Sequence, residues 1–411
     1  GFDDVTQASG ILANRSQTDA TLGRPGSVWA FADVDNDGDL DAFTGLNDSK
    51  DAPSVETSEI MLNNGDGTFA LGPADSALRV VSGAVPAGAA FVDYDRNGIV
   101  DLFVAQNSWN NQPQQDRLYW GDGSGSFQDV TDGAGMTTLS SGKFEILNAA
   151  GSHSNAWSAL ACDVDGDGNP DLMAGSYGRA PNHLWRGTGE AGGWKLQNKS
   201  VESGYAFDQR VDWSDNESAR CWCKLHPSAP DCAGVPTQLK IACASDKDAF
   251  RWNHGSDREA FRLGGNSGAT MCADVDNDGD MDLLTSEIVH WDVGSSSDPS
   301  ELLFNKGDGS FERPGSATTG LTRKHTVAGW NDGDITGALF DFDNDGLTDV
   351  YIGSTDYPGA KGLLFHNLTG TTFAPVDEVD GIAHNRSHGI AVADFDRDGD
   401  LDVVVGHSRA R

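Results

Sequence analysis

One nine-residue pattern, D-x-D-x-[DN]-G-x-x-D, occurs six times in this chain and constrains its fold more than any other feature. The copies begin at Asp33, Asp93, Asp163, Asp274, Asp341 and Asp394. Each follows a run of small and apolar residues and precedes an apolar or alternating run such as Asp349-Val350-Tyr351-Ile352-Gly353, the signature of two short strands joined by a tight loop. A second recurrent piece lies downstream, in EIMLNNGDGTF, DRLYWGDGSGSF, SELLFNKGDGSF and GLLFHNLTGTTF. There an apolar strand meets a Gly/Asp turn and then an aromatic-led strand, so each unit reads as a four-stranded antiparallel meander.

Units of this size cannot bury both faces alone, and packing them face to face around a ring gives a β-propeller, with a solenoid as the weaker alternative. The expectation is one all-β propeller domain over residues 1–411. The loop starts are 60, 70, 111, 67 and 53 residues apart, and the long gap has room for one more unit. Residues 205–262 are therefore either a degenerate blade, giving seven, or a cysteine-rich insertion on six. Phe2-Asp3-Asp4-Val5-Thr6 reads as an outer strand that shares a blade with the tail ending near Gly406, and a natural chain continuing past Arg411 would supply the strand still missing there. Cys221, Cys223, Cys232 and Cys243 suggest two disulfides; their C-x-C spacing does not suit zinc, the rival reading. Cys162 and Cys272 read as buried thiols, with pairing between them the alternative.

The loops carry the chemistry. Ca²⁺ takes six to eight oxygen ligands, and alternate Asp residues around a glycine turn can supply them. Positions one, three, five and nine offer side chains, and position seven offers a carbonyl. The expected sets are Asp33, Asp35, Asp37, Asp41 with the Asp39 carbonyl; Asp93, Asp95, Asn97, Asp101 with Ile99; and Asp163, Asp165, Asp167, Asp171 with Asn169. The pattern recurs in Asp274, Asp276, Asp278, Asp282 with Asp280; Asp341, Asp343, Asp345, Asp349 with Leu347; and Asp394, Asp396, Asp398, Asp402 with Asp400. Six loops of four side chains, one of them Asn97, bring 23 carboxylates, and six Ca²⁺ would lift the formal charge from −35 to −23. The second loop, with its neutral Asn97, should be the weakest by ligand charge. The loops lie between strands and lack the helix-flanked glutamate of an EF-hand.

That charge, from 63 acidic and 28 basic residues, repels a phosphate backbone and makes nucleic acid a poor partner. No apolar run is long enough to span a bilayer. Six N-x-[ST] sequons, at Asn14, Asn47, Asn198, Asn216, Asn367 and Asn385, together with six cysteines, point to a secreted glycoprotein.

The repeats resemble the FG-GAP (or VCBS) repeats of integrin alpha-subunit propellers and of many secreted proteins. The opening FDDVTQASGI and the unit LLFHNLTG…F most resemble proteins related to cartilage acidic protein. The resemblance implies a propeller, usually seven-bladed, with Ca²⁺ between neighbouring strands and roles in adhesion, glycan binding and occasionally polysaccharide cleavage. Residues 205–262 depart from the repeat.

For catalysis the sequence offers His153, His325, His384 and His388, with Trp157 and Trp330, just upstream of inner strands. His153 and His384 lie ten residues before their first loop Asp, and Trp157 and His388 six before it, so they are equivalent in different blades. A channel-mouth site for a lyase-like reaction is one reading; hydrogen-bonded histidines at strand ends is the other. No G-x-S-x-G, Walker, Rossmann or H-E-x-x-H motif occurs. The expected role is a non-catalytic extracellular module for a protein or glycan partner, with a polysaccharide-active enzyme and an assembly building block as alternatives.

Overall fold

The computed structural model describes residues 3–13, 26–46, 57–79, 85–107, 113–140, 142–189, 194–325, 328–355, 357, 360–376, 382 and 384–407. The first sheet is β1 (Gly26–Ala32), β2 (Asp41–Leu46), β3 (Glu59–Asn63) and β4 (Phe69–Leu71), paired in that order. The second is β5 (Val85–Val92), β6 (Asp101–Asn107), β7 (Arg117–Gly121) and β8 (Phe127–Asp129); the third is β9 (Ala156–Cys162), β10 (Asp171–Ser176), β11 (His183–Thr188) and β12 (Lys195–Asn198). The fourth holds β13 (Ser267–Ala273), β14 (Asp282–His290), β15 (Glu301–Asn305) and β16 (Phe311–Glu312). The fifth holds β17 (Asn331–Phe340), β18 (Asp349–Ser354), β19 (Leu363–Asn367) and β20 (Phe373–Pro375), and β21 (Ser387–Ala393) pairs with β22 (Asp402–His407) as a sixth. These antiparallel meanders make the chain a β-propeller. The fourth and fifth sheets are also joined directly, where the end of β14 pairs with the start of β17 at Ile288–Gly333.

The apolar runs after each loop are continuous because the second strand of a blade is buried on both faces. Leu102 packs with Phe43 and Ile60 of the first sheet, whereas its neighbour Phe103 packs with Leu172 and Ala174 of the third. The alternation repeats at Leu172/Met173, Leu283/Leu284 and Val350/Tyr351, each pair divided between two inter-sheet cores. Truncating one such side chain, Phe103→Ala, would cost about 3–5 kcal/mol in transfer and cavity terms.

Every inner strand carries a β-bulge at the same place. Ser27, Ala87, Trp157, Ile335 and His388 are skipped in the register with their partner strands, and Gly268–Ala269 together face Ser286. Each bulge starts six residues before its first loop Asp, so the sequence equivalence of Trp157 and His388 reflects this shared kink.

Some expectations hold and others need correction. Residues 205–262 hold the helix Glu217–Leu225 and short 3₁₀ turns but no strand, and β9 and β13 face the same inter-sheet core through Leu160, Cys162 and Cys272. Asp3–Val5 is irregular and Thr6–Ser9 is a turn, not a strand; the Ser9 carbonyl accepts from the Phe69 N–H of β4. Phe2 lies outside the described residues. Cys221–Cys243 and Cys223–Cys232 are disulfides, which removes their thiolates from any zinc site, and Cys162–Cys272 are paired rather than free, tying β9 to β13. Asn216 and Asn367 are fully buried: Asn216 caps the helix by accepting from Ala219 N–H, and Asn367 donates to the Val275 and Thr348 carbonyls. Those two sequons are structural; Asn198 is exposed although its Nδ2 donates to the Ala150 carbonyl at 2.7 Å, Asn385 is exposed, and Asn14 and Asn47 fall outside the described residues.

Candidate functional site

All six acidic loops adopt one backbone conformation. Position four is left-handed in each (Asn36, Arg96, Gly166, Asn277, Asn344 and Arg397, φ 57–67°), and the position-six glycines have φ between 82° and 99°. That second left-handed residue is why all six keep glycine. The first Asp accepts the N–H of that glycine at 2.8–3.0 Å in every loop, which curls the chain around its own carboxylates.

Position nine ties the loop to the sheet. Oδ2 of Asp41, Asp101, Asp171, Asp282 and Asp349 accepts the position-two N–H, and Oδ1 accepts an N–H from the third strand: Asn63, Gly121, Gly187, Asn305 and Asn367. These five are buried. Asp402 takes the Phe395 N–H alone at Oδ2 and is exposed, since β21–β22 has no third strand among the described residues. Burial pushes Asp101 and Asp171 up to about 7 and Asp282 up to about 6, and raises Asp41 and Asp349, with neighbouring carboxylates adding to the effect.

Carboxylate oxygens of Asp33, Asp35 and Asp37, of Asp93, Asp95 and Asp101, and of Asp163, Asp165 and Asp171 converge within 4.8 Å of one another. Asp35 Oδ1 and Asp163 Oδ1 are buried with no hydrogen-bond partner. Clustered hard oxygens with unmet lone pairs fit a hard divalent cation.

Sequence reasoning missed what the third strand adds. The side chain one before its last or next-to-last paired residue faces the loop: Arg186 Nε lies 3.0 Å from Asp165 Oδ2, and His366 Nδ1 lies 3.3 Å from Asp349 Oδ1 and 3.4 Å from Asp343 Oδ2. The third loop thus has a resident cation beside it, a handicap that ligand counting did not reveal. Aligning the third strands, where Leu62, Trp120, Arg186, Phe304 and His366 share a column, would have exposed it.

The histidine candidates go to separate surroundings. His325 stacks on Trp330 at 3.6 Å and pairs with Asp332 at 2.9 Å. His384 lies edge-on to His407, and His388 is the exposed bulge residue of β21. His153 bonds through Nδ1 to Thr138 Oγ1 at 2.7 Å, and burial holds its ring below the usual imidazole range. Trp157 stacks on Tyr177 at 4.6 Å.

His153 and Tyr177 both line a cavity of about 570 Å³, together with Ser152, Asn155, Arg179, Phe261 and Arg262. Its walls come from the chain entering β9, the turn leaving β10 and the end of the 205–262 segment. Because β9 and β10 run between this cavity and the loop at Asp163–Asp171, the two features occupy opposite ends of the third sheet.

A family model described as an FG-GAP-like repeat matches residues 33–104, 93–174 and 341–405. No curated protein matches the chain in sequence. Among solved structures, the chain is similar to an Agrocybe aegerita lectin that recognises non-reducing terminal N-acetylglucosamine, at 14% identity and TM-score 0.42 over 94% of this chain and 72% of the lectin. It is also similar to the rhamnogalacturonan lyase YesW (14%, TM-score 0.38, 96% of this chain, 57% of the lyase). The V. cholerae biofilm matrix protein Bap1 is a third (13%, TM-score 0.33, 94% of this chain, 75% of Bap1).

Proposed function

Since this chain belongs to the FG-GAP-like repeat family, we propose that it is a calcium-stiffened, non-catalytic propeller that works outside the cell and binds a glycan or protein through its loops. The observation that carries the reading is the recurrent convergence of loop oxygens, with Asp35 Oδ1 and Asp163 Oδ1 buried and unpartnered. Ca²⁺ bound there would neutralise the repulsion between carboxylates and cross-link two strands of a blade. Residues 33–41, 93–101, 163–171, 274–282, 341–349 and 394–402 would hold it, with side chains from positions one, three, five and nine. Four side-chain oxygens and a carbonyl fill most of such a shell and leave little room for an open Lewis-acid position. Six cysteines joined in three disulfides favour an oxidising compartment.

Calorimetric melting with excess Ca²⁺ and after chelation, beside metal analysis, tests this. A large calcium-dependent rise in Tm with about six ions per chain, as the six loops require, is expected; no shift and no bound ion would refute the loop assignment. Release of products from an acidic polysaccharide, abolished by His153→Ala, would refute the non-catalytic part.

A further inference from the structure

The cavity at the far end of the third sheet is cationic in a strongly anionic protein. The chain carries 63 acidic residues against 28 basic ones, yet among the described residues the cavity wall contains Arg179 and Arg262 and no Asp or Glu.

The two guanidinium groups are built in, not draped over the surface. Arg179 is only 13% exposed and sits in the left-handed region at φ 56°, directly after Gly178 at φ 81°. That backbone is costly for a residue with a Cβ and persists only where its surroundings hold it. The holders are reciprocal: Arg179 Nε donates to the Arg262 carbonyl, and Arg262 Nη1 donates to the Gly178 carbonyl at 2.8 Å. Both also lean on Asp257, at 3.4 Å from Arg179 Nη1 and 3.9 Å from Arg262 Nε. One carboxylate shared by two guanidinium groups leaves a net positive charge. Arg179 Nη2 and Arg262 Nε are buried without an acceptor.

The rest of the wall suits a sugar ring. Tyr177 is backed by Trp157 in a stacked pair, a stiff slab for the C–H face of a pyranose, and Phe261 adds a second aromatic wall. Ser152 Oγ and Asn155 Oδ1 are buried with no partner and can exchange hydrogen bonds with hydroxyls. A volume near 570 Å³ is in the range of small-ligand sites.

We infer that this cavity binds a carboxylate-bearing sugar residue of an acidic glycan, with Arg179 and Arg262 facing the carboxylate and Tyr177 under the ring. The inference rests on the binding-module reading and names its ligand class.

The test is a glycan array displaying uronate- and sialate-terminated oligosaccharides beside their carboxyl-reduced counterparts, followed by titration calorimetry of the best binder, all in excess Ca²⁺. The wild-type chain should bind carboxylated glycans at least ten-fold more tightly than the reduced ones. Arg262→Gln, at a partly exposed side chain, should lose at least ten-fold, as should Tyr177→Ala. The carboxyl-reduced ligands test the charge without altering the protein, so a variant that misfolds does not protect the idea. Equal binding of both ligand forms, binding of neutral glycans alone, capture of peptide carboxylates in preference to sugars, or no binding at all would each overturn it. Cleavage of a bound acidic glycan would leave this inference standing and overturn the non-catalytic reading.

Discussion

Replacing Gly88 by alanine tests how closely the inner strands approach at the hub. A Cβ built on Gly88 of β5 would lie 2.3 Å from Ala159 N, 2.5 Å from Ser158 C and 2.8 Å from Ser158 Cα, all backbone atoms of β9. Ordinary carbon contacts are about 3.5–4.0 Å, so the two strands must part by roughly 1 Å. Neither can move alone, since β5 is paired to β6 and β9 to β10 along their lengths. We expect a loss near the upper end of the overpacking range, roughly 3 kcal/mol. Gly389 occupies the equivalent position, five residues before its first loop Asp, but nothing among the described residues lies within 4 Å of its added Cβ, and neither glycine has a positive φ. Gly389→Ala should therefore gain about 0.4–1 kcal/mol from a less flexible unfolded chain. Denaturant midpoints followed by tryptophan fluorescence, at one saturating Ca²⁺ concentration, compare the pair directly. If the two variants fall within about 0.5 kcal/mol of each other, beyond which packing differences register, the close approach of β5 and β9 is wrong.

Three further outcomes follow from the loops and turns. Asn97→Asp, which adds a carboxylate, and Arg186→Gln, which removes the cation beside Asp165, should each tighten the affected ion site by about ten-fold, read by calcium titration of the variants. In metal-free protein, Asp101 and Asp171 hold protons up to about pH 7 when folded, against 3.8 when unfolded, so the folded state binds more protons between those values. Stability of the chelated chain should fall as pH rises through that window, and saturating Ca²⁺ should reverse the trend by holding the carboxylates ionised; melting at pH 5 and pH 8 with and without the ion reads both signs. Secreted from a glycosylating host, the chain should carry sugar at Asn198 or Asn385 but not at Asn216 or Asn367, by peptide mass spectrometry, and Asn216→Ala should cost roughly 2 kcal/mol through loss of the helix cap and of the bond to Ser296.

The blades were legible because their determinants are local and repeated: the loop glycine, the alternate aspartates and the apolar run are each contiguous in sequence. The turn chemistry also marked β3–β4 and its counterparts without help from distant residues. What was not legible depended on pairing across the chain. Trp157 and His388 share a spacing, but only the strand register revealed that the spacing encodes a bulge. Cys162 and Cys272 are 110 residues apart, and their pairing follows from β9 and β13 being neighbours, which the extra length of the third interval obscured. Residues 205–262 were open to two readings because turns, a nine-residue amphipathic helix and disulfides leave no periodicity comparable to a strand pair.

The cavity was hidden for the same reason, since its wall is gathered from residue 113, residues 139–155, residues 177–180 and residues 261–262. A net charge of −35 argues for cationic partners of the whole surface, yet says nothing of a site where the sign is locally reversed. The placement has a consequence for how calcium and an anionic ligand influence each other. Seven residues of β9 separate the cavity from the loop at Asp163, about 20 Å of extended chain. Physiological salt screens charge over about 8 Å, so ions in the loop should neither attract nor repel a carboxylate at the other end. Coupling would then pass through rigidity alone. Affinity for an acidic sugar should change by less than two-fold between low and saturating Ca²⁺, provided the temperature lies well below the melting point at both. A ten-fold or larger dependence would instead place calcium in the ligand's own coordination, bridging two carboxylates, and would remove Arg179 and Arg262 from the centre of recognition.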